Sequence, residues 1–363
     1  MADARPSTEF REQTYPPPFP DAWYRVAGSH ELKRGKVVYR ECLGTQMVIY
    51  RASDSDEVTA MSAFCPHLGT NLAQGRVRGR NLECPFHRWE LAPDGRVAEI
   101  PYAEKLPSKP CQPVWPICER YGQIFVYHRA GEAPRGVPPA PPYAFPSIDD
   151  IDRGNLVPRG RFDAGSVHMH LLEFAENSVD VQHFGPLHGE MLIPWTQIRV
   201  PGITIRHDST WEADATDKHL AYFNNDVILS AFGRELESTR AKAKITFYGP
   251  ASVVTFRFQV PKMGDILMFQ THLPVAPLEQ KVNFQWFAEP KVPRLLVSYV
   301  VGNWVAQWRK DTPIWENKIH LRKPLLVAGD GPIFRLRKWF QQFYPATPSG
   351  PRPVDLTKRR TGS

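Results

Sequence analysis

Residues 65 to 87 read CPHLGTNLAQGRVRGRNLECPFH, which puts Cys65-x-His67 and Cys84-x-x-His87 on either side of sixteen residues. If these four side chains act together, two loops must meet and the chain between them must turn back on itself. Gly69, Gly75 and Gly79, with Pro66 and Pro85, are compatible with such tight loops. The flanks agree. From Trp23 to Tyr127, short Val, Ile and Tyr runs alternate with turn signals: KVVYREC, QMVIYRA, EVTAMSAF, the turn PDG at 93–95, and GQIFVYH. That rhythm predicts a small all-β domain over 21–130.

The donor set admits three readings: a single tetrahedral ion, a two-iron cluster, or two unrelated buried cysteines beside surface histidines. Zinc sites accept two thiolates and two imidazoles, but their common spacing pairs cysteine with cysteine and histidine with histidine. Here each half supplies one of each. That mixed pairing suits a Rieske [2Fe–2S] centre, in which two cysteines hold one iron and two histidines the other. Each loop would then touch both irons.

Residues 1–20 are polar and then proline-rich (YPPPFP), and read as an extended arm. GEAPRGVPPAPPYAFP is too rich in proline for a sheet interior or a helix, so a semi-rigid linker is expected at 131–147. Beyond it, a helix is expected at 170–184 and strands at AKITFYG, SVVTFRFQV, ILMFQTHL and VNFQWFA, with a helical pattern from about 303 to 320. An α+β domain over 148–345, an antiparallel sheet carrying helices, follows, with a tail at 346–363. There is no internal repeat.

The second domain holds EFAENSVDVQHFGPLHGE, with Asn177, Asp180 and His183 at successive i+3 steps and then His188. On a helix the first three share a face. His183 and His188 are five residues apart and would diverge on a continuous helix, but Gly185 and Pro186 end it and let His188 swing back. Two imidazoles and one carboxylate with open positions make the facial triad of non-haem Fe(II) oxygenases. The alternative is a helix that uses these polar groups for capping and packing. Glu190, Asp208, Asp226, Asp265, Asp311, Glu316 and Asp330 are all chemically able to supply the carboxylate. Asp311, in a helical pattern with Trp304, Trp308 and Trp315, is our choice, against its being a surface residue paired with a lysine. Asp180, one turn before a histidine ligand, suits the role of orienting that imidazole.

The formal charge of +7 would suit nucleic acid, an anionic membrane face or an acidic redox partner, but Lys and Arg are scattered, and nucleic-acid binding is not expected. Five cysteines at irregular spacing argue against a disulfide framework. No run approaches the roughly 20 apolar residues that cross a bilayer, and no signal pattern opens the chain, so a soluble cytoplasmic protein is expected, peripheral membrane contact being compatible with it. No dinucleotide fingerprint or flavin motif is present, so electrons must come from a separate NAD(P)H-dependent reductase or ferredoxin, which the basic surface could dock.

These motifs resemble the Rieske oxygenases. Respiratory high-potential Rieske proteins carry a further cysteine in each loop, where this chain has Thr70 and Phe86, so CPFHRWEL looks like the oxygenase or ferredoxin type. N-x-x-D-x-x-H-x4-H is similar to the signature of the catalytic subunits. The segment DTPIWENKIHLRKPLLVAGDGPIFRLRKWFQQFY looks like the closing segment of two steroid-handling groups, the 3-ketosteroid 9α-hydroxylase oxygenases and the Neverland-type cholesterol 7-desaturases. EFAENSVDVQHFGPLHGEM and HLPVAPLEQKVNFQWFAEPKVP are nearer the second group, whose members usually begin with a membrane-spanning segment that is not seen here.

The resemblance implies a START-like catalytic domain and places the third iron ligand at Asp311. It also gives Asp180 a bridge to a cluster histidine of a neighbouring subunit in a homotrimer. It implies O2-dependent oxidation of an unactivated sterol carbon, either C7(8) desaturation of cholesterol to 7-dehydrocholesterol or 9α-hydroxylation of a 3-ketosteroid. A different class, an electron carrier whose second domain has lost catalysis, is disfavoured by the intact His183, His188 and Asp311.

Overall fold

The computed structural model describes residues 6–131, 141–260 and 262–345; the tail expected at 346–363 and most of the linker expected at 131–147 lie outside them. Two compact units result, one spanning Asp21–Arg129 and the other joining residues 6–20 to the described chain from Tyr143 to residue 345.

The first unit is all β. Its strands are β1 (Ala22–Gly28), β2 (Val37–Cys42), β3 (Thr45–Arg51), β4 (Val58–Ser62), β5 (Arg76–Arg78), β6 (Asn81–Glu83), β7 (Glu90–Leu91), β8 (Val97–Glu99), β9 (Val114–Trp115), β10 (Ile117–Arg120) and β11 (Gln123–His128). They form the antiparallel sheets β1-β11-β10, β2-β3-β4-β9 and β5-β6-β7-β8. Val48, Tyr50, Met61, Leu72, Leu82 and Leu91 pack around Cys65 and Cys84. Each such side chain contributes roughly 1.5–3 kcal/mol on burial, so the core that stabilises the unit also encloses the two thiols.

Gly75 is required by close approach. A Cβ there would lie 2.2 Å from the Glu83 carbonyl oxygen and 3.0 Å from that of Leu72. Both contacts are backbone, which cannot rotate away. We expect Gly75→Ala to destabilise this unit by about 1–3 kcal/mol, read as a lower guanidinium midpoint for loss of visible absorption; an unchanged midpoint would contradict the packing argument.

The second unit is α+β, as the sequence pattern predicts. It contains α1 (Thr8–Glu12), α2 (Asp149–Asp152), β12 (Val157–Val167), α3 (Leu171–Asn177), β13 (Glu190–Leu192), β14 (Arg199–Ala213), β15 (Leu220–Ala231), β16 (Arg234–Glu235), β17 (Ala241–Tyr248), β18 (Val253–Val260), β19 (Gly264–Ala276), β20 (Glu279–Ala288), α4 (Arg294–Asn317) and α5 (Ile333–Gln341). The antiparallel sheet runs β12-β20-β19-β18-β17-β15-β14-β13, with β16 on β15. Alternation sets its faces: Phe223, Asn225, Val227 and Leu229 of β15 share one side with Ala243, Ile245 and Phe247 of β17.

Three segments differ from the sequence pattern. The helix expected at 170–184 stops at Asn177, and a 3₁₀ turn (Val181–His183) and a π turn (Phe184–His188) follow. Asn, Ser and Asp at 177–180 compete for backbone groups, and the Ser178 hydroxyl donates to Ala175 O at 2.7 Å. The final long helix begins at Arg294, earlier than the helical pattern expected from about 303, because Val297, Val301, Val305, Trp308 and Trp315 form one buried stripe. Packing outweighs the strand preference of its valines. The N-terminal segment holds a short helix whose buried Arg11 donates to Trp315 O (2.7 Å), Lys318 O (3.0 Å) and His168 O (3.1 Å). Two of these acceptors are carbonyls at the C-terminal end of α4, which a helix leaves unpaired.

Candidate metal centres and their cavity

Cys65 and Cys84 open two loops of the same form. Cys65 N donates to Thr70 O and Gly69 N to Cys65 O, both at 2.9 Å; Cys84 N donates to Trp89 O (2.8 Å) and Arg88 N to Cys84 O (3.2 Å). The fifth residue of each loop has positive φ, Gly69 at 74° and Arg88 at 62°. Gly69 adopts this without strain, whereas Arg88 is held by a 2.7 Å ion pair to buried Glu83. Burial works against the Glu83 charge, but hydrogen bonds from Arg76, Arg88 and Arg78 hold its pKa down to about 2.

The loops bring their donors together in like pairs. The thiols of Cys65 and Cys84 are both buried, and burial, aided by the neighbouring Cys84, pushes Cys65 up to about 11. The half-buried imidazoles of His67 and His87 lie 4.8 Å apart between ring centroids, and Trp89 stacks on His67 at 4.5 Å. A tetrahedral zinc would need all four ligand atoms within about 4 Å of one another. Among the described residues, the one set of three or more potential ligand atoms lying within 4.8 Å of each other is elsewhere, at His183, His188 and Asp311. A thiol pair below an imidazole pair therefore fits a two-iron group better than one ion. Adjacent buried thiolates also require the compensating cation that such a group supplies.

His183, His188 and Asp311 are all buried. The His183 Nδ1–H donates to the main-chain carbonyl of Asp180, which leaves Nε2 as the acceptor, and Asn177 Nδ2 donates to it at 3.1 Å. Burial lowers the His183 pKa and keeps the imidazole in its neutral, ligating form. The His188 Nδ1–H donates to Gln307 Oε1 at 3.2 Å, and Gln307 Nε2 donates to Glu190 O at 2.9 Å, which fixes that amide's orientation. His188 Nε2 then turns its lone pair toward Asp311 Oδ1, 3.0 Å away. Two acceptors that close repel unless a cation lies between them. The donor set thus fits a divalent iron with open positions.

The half-buried carboxylate of Asp180 acts on His183 through its field, its carbonyl making the contact. Of the other acids considered for the carboxylate, Glu190 pairs with Arg199, Asp265 with Arg257 and Glu316 with His168, while Asp330 accepts from Val327 N. Asp208 and Asp226 face each other across β14 and β15. Sequence reasoning missed Gln307, which stands one helical turn before Asp311 and was legible in that spacing. It also missed His207 and Asn225, which lie on strands far from any motif.

A cavity of about 480 Å³ opens onto the three residues. Phe184, Phe223, Phe247, Phe256, Phe258 and Trp304 supply much of its wall. Aromatic side chains here line space as well as fill core, the combination expected of a small-molecule site.

Residues 22–110 match the Rieske [2Fe-2S] domain and residues 131–344 the 3-ketosteroid 9alpha-hydroxylase C-terminal domain. A cholesterol 7-desaturase of Xenopus laevis is 32% identical over 91% of this chain and 72% of its own length. The oxygenase component of a 3-ketosteroid-9-alpha-monooxygenase of Rhodococcus rhodochrous is 26% identical over 91% and 85%. In fold, the chain is similar to NdmA of Pseudomonas putida CBB5 solved with caffeine (TM-score 0.63, 19% identity, 88% of this chain and 89% of that one). It is likewise similar to dicamba monooxygenase bound to 3,6 dichlorosalicylic acid (TM-score 0.62, 19% identity, 89% and 96%).

Fold and donor sets together define an iron oxidoreductase with a Rieske [2Fe–2S] cluster and a mononuclear iron, driven by electrons from NAD(P)H. The chain belongs to the Rieske oxygenases, in the branch that carries the 3-ketosteroid 9alpha-hydroxylase C-terminal domain. Among its described residues no helix is long and apolar enough to cross a membrane.

Proposed function

We propose that this enzyme oxidises a sterol, removing two hydrogens at C7 and C8 of cholesterol to form 7-dehydrocholesterol. The observation that carries the reading is the apolar cavity ending on His183, His188 and Asp311, in a chain 32% identical to a cholesterol 7-desaturase. In this reading Cys65, Cys84, His67 and His87 hold the cluster, and His183, His188 and Asp311 the single iron. These centres, when bound, supply electrons and the activation of dioxygen that break an unactivated C–H bond. Two electrons from NAD(P)H, through a separate reductase or ferredoxin, and two from the sterol reduce O2 to two molecules of water.

The protein's own work is positional. Asp180 O and Gln307 hold the two imidazoles in the tautomer that turns Nε2 to the site, and the aromatic wall excludes water and orients the ring system. Asp180, half-buried beside His183, is assigned the bridge to a neighbouring subunit's cluster in a homotrimer. The second reading, 9α-hydroxylation of a 3-ketosteroid, is favoured by the domain match over 131–344. Desaturation and hydroxylation part on substrate placement of about 1 Å.

The test is incubation of the purified protein with a reductase and NADH and either cholesterol or androst-4-ene-3,17-dione, followed by mass spectrometry. Cholesterol is expected to yield a product lighter by two hydrogens. A product heavier by one oxygen, from the ketosteroid alone, would reverse the order of the readings.

A further inference from the structure

The cavity that ends on His183, His188 and Asp311 opens at its other end. Its metal end is walled by buried side chains such as Phe174, Phe223 and Trp308, whereas Ser238, Lys242, Gln259 and Tyr299, which also line it, are exposed. The mouth therefore lies between the 3₁₀ turn Glu237–Thr239, the start of β17, the end of β18 and the first turns of α4. Along α4 the lining runs from Leu296 to Asp311, about 22 Å at 1.5 Å per residue. An occupant of the metal end enters past this rim.

The rim carries exposed apolar side chains. Leu295 is 86% exposed, adjoins Leu296 of the lining, and stands one turn before Tyr299 on the same helix face. Leu236 and Met263, both exposed, are tied to lining residues through their backbones: Leu236 N donates to Leu229 O at 2.8 Å and Met263 N to Val260 O at 3.0 Å. Phe232, also 86% exposed, stands between β15 and β16 with a φ of 48°, which suits glycine or asparagine better than a bulky side chain. Its ring rests over Gly202, outside the core, so neither the turn nor the core accounts for a phenylalanine there. Single exposed apolar residues are ordinary, but several around one apolar opening mark a contact surface.

Charge selects the partner. The acids of these segments are matched: Glu235 pairs with Arg206 (2.8 Å), Glu237 with Arg240 (2.9 Å), Asp265 with Arg257 (2.7 Å) and Glu289 with Lys291 (2.9 Å). The exposed cations Arg234, Lys242, Lys262 and Arg294 have no carboxylate within ion-pair distance among the described residues. Three of them stand next to an exposed apolar residue on three separate segments: Arg234 by Phe232, Lys262 by Met263 and Arg294 by Leu295. We propose that this rim docks on an anionic lipid bilayer, with Leu295 and Phe232 entering its surface and the cations resting on the headgroups, so that the sterol passes from the bilayer into the cavity without crossing water. A bilayer is favoured over a protein partner because it presents both chemistries together, negative headgroups above an apolar interior, and because the same rim opens onto an apolar cavity. The route, though not the docking, rests on the cavity taking a sterol.

The test is co-sedimentation of the whole purified protein with sterol-free vesicles, either of phosphatidylcholine alone or of phosphatidylcholine and phosphatidylserine in equal parts. Wild type is expected to bind the mixed vesicles at least about tenfold more tightly, since each cation near such a surface contributes about a factor of five, and to be released by salt. The double variant Leu295→Asp, Phe232→Asp lowers that binding about tenfold or more. Lys262→Glu with Arg294→Glu lowers the preference for the mixed vesicles by a similar factor, about tenfold. None of these four residues lines the cavity, so both double variants keep the visible absorption and the binding of 5α-cholestan-3β-ol (cholestanol) from cyclodextrin, read by quenching of tryptophan fluorescence. Leu325→Asp, at an equally exposed leucine beyond the other end of α4, leaves vesicle binding unchanged. Undiminished vesicle binding by the double variants, or no binding of mixed vesicles by wild type, overturns the docking surface. An oligomer that Leu295→Asp dissociates, in a protein that ignores vesicles, gives the face to a second copy instead. Wild type that sediments with vesicles but neither binds nor converts a sterol leaves the docking standing and overturns the sterol reading and the route.

Discussion

His183→Ala is expected to abolish turnover and leave the visible absorption of the protein intact. The imidazole is buried, its Nδ1 is held by Asp180 O, and its Nε2 lies with His188 and Asp311 within 4.8 Å. Without it, a carboxylate and one imidazole remain at 3.0 Å, and a two-ligand remnant holds a divalent metal far more weakly than a facial triad. Loss of an outer-shell partner alone typically lowers metal affinity or activity 10–100-fold, so loss of the ligand should exceed about 100-fold in turnover. Iron analysis should show the single iron gone and the two cluster irons retained. The cluster residues lie in the unit Asp21–Arg129, whose core packs around Tyr50, Met61 and Leu72 and contains no part of the 183–311 set. A variant that kept more than a tenth of wild-type turnover would remove His183 from the ligand set.

The converse experiment removes the other centre. Cys84→Ser should bleach the protein and end multiple turnover while cholestanol still binds. Cys84 is 2% exposed in an apolar core beside Cys65, and serine offers there a harder donor whose hydroxyl stays protonated. A metal group bound only by the folded state contributes its binding free energy to folding. The variant should therefore also unfold at lower denaturant in this unit, by more than Gly75→Ala. Cholestanol binding is the control that separates loss of electron supply from general unfolding, because the cavity is lined entirely by residues 174–311. A coloured Cys84→Ser protein with normal turnover would overturn the assignment of Cys84 as a ligand.

Both candidate metal motifs could be picked out because each is local. Cys65-x-His67 and Cys84-x-x-His87 sit in loops closed by their own backbone hydrogen bonds, and His183 and His188 are joined by a short turn. Asp311 was reached differently: it stands in a helical pattern with Trp304, Trp308 and Trp315, and the resemblance places the third ligand there, while spacing alone left seven acids open. The helix ends were misjudged at Asn177 and at Arg294. The first depends on side chains competing for the backbone, the second on burial outweighing the strand preference of valine.

Local order in the chain was enough to specify two β-containing units, two candidate donor motifs and the class of chemistry, because donor identity, loop closure and strand alternation act over a few residues. The contact between His207 and Asn225 and the choice of Gln307 as the partner of His188 came only from folding. Each joins residues on different strands, helices or loops, and a hydrogen bond between them depends on a position in space that no spacing along the chain encodes. Whether a buried polar atom is satisfied is a property of its surroundings, which only the folded chain supplies.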